Sequence, residues 1–80
     1  MRFEVTIQEG RGATQHHVTL DSHMRQRVGA TRSPEECVHA AFRFLLDREP
    51  KEAILRSFDL QVIARYFPEF EREIGRYFAS

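Results

Sequence analysis

Phe58–Phe78 reads FDLQVIARYFPEFEREIGRYF and holds six of the chain's nine aromatic residues. The stretch is too apolar for a solvated tail and too charged for a membrane span. It has to fold against something. Leu60, Ile63, Ala64 and Phe67 recur at i, i+3, i+4 and i+7, with Gln61 and Arg65 opposite, which predicts a helix that Pro68 ends. A last helix follows, with Phe70, Ile74, Tyr77 and Phe78 on one stripe. Its acids Glu69, Glu71 and Glu73 come early and Arg76 late, the order a helix dipole favours. Gly75 weakens this helix and is expected to mark a close approach.

Upstream, Ser33-Pro34-Glu35-Glu36 is the strongest local signal. Serine at the N-cap, proline at the first helical position and Glu36 at the third form a capping box. The helix it opens should run to about Asp47. At about 100° per residue, Glu35, Glu36, His39, Arg43 and Asp47 gather on one face, and only Leu46 intrudes. Cys37, Val38, Ala40, Ala41, Phe42, Phe44 and Leu45 fill the rest. So wide an apolar face predicts a central helix. Glu49-Pro50 restarts the chain as a short helix of about two turns, with Glu52 and Arg56 as an i,i+4 pair. Ser57 and Asp59 are candidate caps for the helix after it.

At the N-terminal end, Phe3, Val5 and Ile7 alternate with Glu4, Thr6 and Gln8, the period of a half-buried strand. A glycine-bearing loop at Glu9–Ala13 leads to a second alternating run. There His16, Val18 and Leu20 share one face, and Gln15, His17 and Thr19 the other. Two strands alone are unstable in water, so this hairpin needs a helical layer. From Asp21 to Arg32 the pattern supports no more than a short turn through Arg27, capped by Asp21 or Ser22 and ended by Gly29. The expected fold class is α+β: an N-terminal two-stranded antiparallel hairpin packed against three to four short helices, with residues 1–80 as one small domain.

Composition bounds the function. Twelve basic and twelve acidic residues cancel, so the chain carries no overall electrostatic footprint for nucleic acid. Eleven of the basic residues are arginine. The sharp reading of that excess is recognition of phosphate or carboxylate by the guanidinium fork; the plain one is the codon usage of a GC-rich genome. A single cysteine, no apolar h-region and no run near the ~20 apolar residues of a membrane helix lead us to expect a soluble, reducing, cytoplasmic setting.

No chemical motif stands out. His16 and His17 are adjacent on a strand and point to opposite faces, and Cys37 and His39 diverge on a helix, so neither pair chelates a metal. Cys37 lies in a helix first turn, where a thiol is activated, but its wheel position is apolar and no base accompanies it. Gly10-Arg11-Gly12 lacks the rest of a phosphate loop. No cofactor, metal or catalytic residue is implied, and an enzyme is not expected. Two functions remain. One is a small cytoplasmic protein-binding or adaptor module, self-association included, contacting its partner through Tyr66 and Phe42. The other is a nucleic-acid- or phosphate-binding regulator that uses Arg11, Arg25, Arg27 and Arg32.

Overall fold

The computed structural model describes residues 1–29 and 31–78. Strand β1 (Arg2–Glu9) and strand β2 (Gly12–Thr19) form the expected antiparallel hairpin, with Phe3 opposite Val18 and Val5 opposite His16. The connection is two residues long. Gly10 has φ 57° and Arg11 a negative φ, the signs of a type II′ turn, whose twist suits the strands beside it.

Helix α1 (Ser22–Gly29) follows, longer than the turn expected there, and the Asp21 carboxylate caps it by accepting from the Met24 amide at 2.7 Å. Met24 and Val28 turn into the core. Gly29 closes the helix at a tight approach: a Cβ there would stand 2.7 Å from the Phe78 ring. Ala30, within the segment 21–32, lies outside the described residues.

Helix α2 (Pro34–Leu46) has the capping box intact. The Glu36 amide donates to Ser33 Oγ at 3.1 Å, and the Ser33 amide donates to Glu36 Oε1 at 3.0 Å. Its seven apolar positions from Cys37 to Leu45 are buried, while Glu35, Glu36, His39, Arg43 and Asp47 face solvent. The helix is central, as its wide apolar face requires.

The segment after Pro50 departs from expectation. One 3₁₀ turn, Lys51–Ala53, replaces the two-turn helix. Lys51 is buried against Gly12 with its ammonium 2.8 Å from Glu52, so that acid pairs with its neighbour. A third strand, β3 (Ser57–Asp59), then runs parallel to β2, giving the sheet order β1-β2-β3. Flanking backbone bonds from His17 to Arg56 (2.7 Å) and from Leu60 to Thr19 (2.9 Å) extend the pairing. A weak i,i+4 pair worth a few tenths of a kcal/mol does not outweigh a set of backbone hydrogen bonds to β2. Asp59 still serves the next helix: Oδ1 accepts from the Gln61 amide while Oδ2 accepts from Thr19 Oγ1.

Helix α3 (Gln61–Tyr66) and helix α4 (Phe70–Glu73) complete the chain, α4 tightening into a 3₁₀ turn over Ile74–Tyr77. Phe70 and Ile74 are fully buried and Tyr77 and Phe78 half-buried, so the aromatic stripe does turn inward. Gly75 is exposed with nothing near its absent side chain, so it permits no close approach. The tight contact belongs to Gly29. One hydrophobic cluster draws on β1, β2, α1, α2, α3 and α4. The helices cover the face of the sheet that carries Ile7, His16, Val18 and Leu20, and the other face is open. No helix among the described residues is long and apolar enough to cross a membrane.

Candidate functional site

Between the Lys51–Ala53 turn, β3 and α3 the helical layer does not close. A groove of about 280 Å³ opens there. Buried Leu45, Ile54 and Ile63 make its floor, Phe58 and Phe67 stand partly exposed along it, and Leu55 and Tyr66 form its rim. Leu55 is 50% exposed and Tyr66 69%; with Met1 they are the large apolar side chains most open to solvent among the described residues. Glu49 alone among the lining residues is charged. The volume falls just below the range typical of small-molecule sites. It suits one or two apolar side chains better than a cofactor.

The rim is fixed from below. His16 is 1% exposed, and both ring nitrogens are engaged. Nδ1 lies 2.7 Å from the Leu55 carbonyl and Nε2 2.8 Å from Thr14 Oγ1. A carbonyl only accepts, so Nδ1 carries the hydrogen, and in the neutral ring Nε2 accepts from the threonine hydroxyl. The imidazole packs on Phe42, which packs on Phe58 in turn, at centroid separations of 5.5 and 5.9 Å. The polar and aromatic contacts of one buried histidine thus hold both the Leu55 backbone and the groove wall.

Of the contact residues expected from sequence, Tyr66 is at the surface and Phe42 is not. Phe42 is 4% exposed, held between His16 and Phe58, and presents no ring to a partner. Its wheel position bordered the polar face of α2, but the sheet covers that border. Three of the four arginines hold internal contacts. Arg27 meets Glu71 at 2.6 Å. Arg32 lies 3.5 Å from Glu36 and 5.2 Å from the centre of the Phe78 ring. Arg25 donates to the Arg32 carbonyl at 2.9 Å, and Arg11 stands exposed at the hairpin turn. Arg25 and Arg32 are thus brought together, while Arg27 points to the C-terminal segment.

Of the other chemistry-bearing residues, His17, His23 and His39 are exposed on the open sheet face, α1 and α2 respectively. Cys37 is fully buried, and that burial pushes its thiol above the usual cysteine range. The activating effect of a helix start is therefore outweighed by desolvation.

Sequence reasoning passed over Leu55 and His16 as site residues. Leu55 sat inside an expected helix, where no pattern marked it as exposed. His16 carried a usable signal: a histidine on the inner face of a strand needs two hydrogen-bond partners, and one of them holds the rim. Comparison with family models, curated proteins and solved structures returns no match for this chain, so its functional reading rests on its own geometry.

Proposed function

We propose that this chain is a small protein-binding module whose groove receives apolar side chains from a peptide segment of its partner. The observation that carries the reading is the pairing of an open apolar groove with an exposed leucine and tyrosine on its rim. Tyrosine supplies large contact area with little entropy to lose, and it is enriched in interface hot spots. A rim anchored by a buried histidine costs less to order on binding than a free loop. The arginines of α1 and the loop after it hold intramolecular partners, which leaves the anion-binding alternative with no comparable observation in its favour.

The test is selection of displayed random peptides against the folded protein. Recovered peptides should share an aromatic or branched aliphatic anchor and compete with one another. Tyr66→Ala or Leu55→Glu should weaken them roughly tenfold or more, as loss of a hot spot does, with the fold intact by circular dichroism. Peptides that bind both variants as well as the parent would overturn the groove as the working surface.

A further inference from the structure

Strand β1 is an open edge, and its outward backbone groups can be assigned. Met1 and Leu20 exchange both backbone bonds, at 3.1 and 2.9 Å. In an antiparallel ladder such pairs alternate with non-bonded ones. Phe3, Val5, Ile7 and Glu9 therefore bond inward to β2, while the N–H and C=O groups of Arg2, Glu4, Thr6 and Gln8 point away from the sheet. The other side of β2 agrees with this phase, since His17, opposite Glu4, donates outward to Arg56. Among the described residues nothing pairs with the outer edge of β1. The strand runs eight residues and carries no proline or lysine, two common guards of a free edge. Phe3 and Val5 are only partly buried there, although Val18 and His16 opposite them are fully covered.

We infer that β1 is a self-association edge that pairs antiparallel with β1 of a second copy, in the register centred on Val5. The occupant follows from complementarity. With the two-fold axis normal to the sheet, each residue meets one from the same face, and the outward groups fall opposite outward groups. Centring on Val5 sets Val5 against Val5 and Phe3 against Ile7 beneath the helices. On the open face Arg2 meets Gln8 and Glu4 meets Thr6. Centring on Phe3 sets Arg2 against Glu4 but leaves most of the strand unpaired, and the registers on the other two neighbouring centres place residues badly. Centring on Glu4 puts that carboxylate directly opposite itself, and centring on Thr6 sets Phe3 against Glu9. Like charges directly opposite destabilise a strand pair. The Val5 register uses nearly the whole strand, joins both sheets into one and covers the exposed flanks of Phe3 and Val5. This edge is separate from the groove and does not depend on it.

Sedimentation from low micromolar to millimolar concentration tests the inference, with the parent, Thr6→Pro and Tyr66→Ala compared. The parent should show a concentration-dependent monomer–dimer equilibrium that Tyr66→Ala keeps. Thr6→Pro, whose lost N–H faces away from β2, should stay monomeric at every concentration. A second measurement leaves the edge bonds in place. Val5→Cys, at the non-bonded pair on the axis, should form an intermolecular disulfide under mild oxidation several-fold faster than Thr6→Cys. A parent that is monomeric throughout, a dimer that survives Thr6→Pro, or cross-linking no faster at position 5 than at position 6 would overturn it.

Discussion

Two aromatic assemblies lie along the inner side of this molecule and meet at the groove, where Phe67 of the first and Phe58 of the second stand partly exposed, but only the first is capped by a cation. Phe44 is fully buried among Phe67, Phe70 and Tyr77, each ring edge-on to it at centroid separations of 5.0 to 5.8 Å. Arg48 closes that assembly. Its guanidinium lies 3.7 Å from the centre of the Phe44 ring and holds Glu69 at 3.1 Å and Glu73 at 3.4 Å. It also donates to the Phe44 carbonyl and the Tyr77 hydroxyl, and that hydroxyl donates to Asp47 at 2.6 Å. The other assembly, His16–Phe42–Phe58, continues outward into the groove under Leu55 and Tyr66, and among the described residues no such lid closes it. The difference teaches that aromatic content alone does not separate core from interface. What separates them here is whether a cation with several acceptors covers the rings.

That contrast predicts a large asymmetry in stability. Phe44→Ala empties the centre of the sealed assembly and should cost about 3–5 kcal/mol, read as a lower denaturant midpoint. Tyr66→Ala removes a ring of similar size from the open one. It should leave stability within about 0.5 kcal/mol of the parent, because the ring is mostly in water already. If the two variants lost comparable stability, the open assembly would be core after all.

The seal itself is the next target. Arg48→Met keeps much of the side-chain volume over Phe44 and deletes the charge, two ion pairs and the bonds to the Phe44 carbonyl and Tyr77. The expected cost is about 1.5–3 kcal/mol, the range for a hydrogen bond with a charged partner. Amide exchange should quicken in α4 and the turn after it, while the amides of β3 keep their protection. Uniform quickening would mean that Arg48 supports the whole fold and not one assembly.

How much of this was legible beforehand varied with the physics of each residue. Ser33, Pro34 and Glu36 act through contacts within three residues, so the start of α2 could be read directly and was borne out. The inward faces of β2 and of the last helical segment followed from periods of two and 3.6. Strand β3 could not be read that way: three residues show no period, and its partner lies some forty positions away in sequence. Phe42 was misplaced because a helical wheel shows the breadth of an apolar face and not which neighbour covers its border. Tyr66 was expected at a contact surface, and it is exposed. No sequence reading singled out Arg48. The signal was present in its spacing, since it follows Phe44 by four and faces acids that are themselves four apart, Glu69 and Glu73.

The smallest effect comes from titrating the seal. Glu69 sits below the usual carboxylate range, held first by its own backbone N–H and then by the Arg48 guanidinium. A carboxyl whose folded pKa is depressed adds stability above its unfolded pKa, and that share is lost as pH falls through the folded value. Acid should therefore loosen the sealed assembly before the core fails. Glu69→Gln removes that titration, so stability measured from neutral pH downward should fall less steeply than in the parent. In the Arg48→Met background the same change should alter the slope less, because part of the depression leaves with the guanidinium. Monitoring Phe44 and Tyr77 ring signals beside those of Phe58 and Tyr66 sharpens the contrast. The first pair should shift with acid ahead of the second, and simultaneous movement would place the pH response outside the Arg48 cluster.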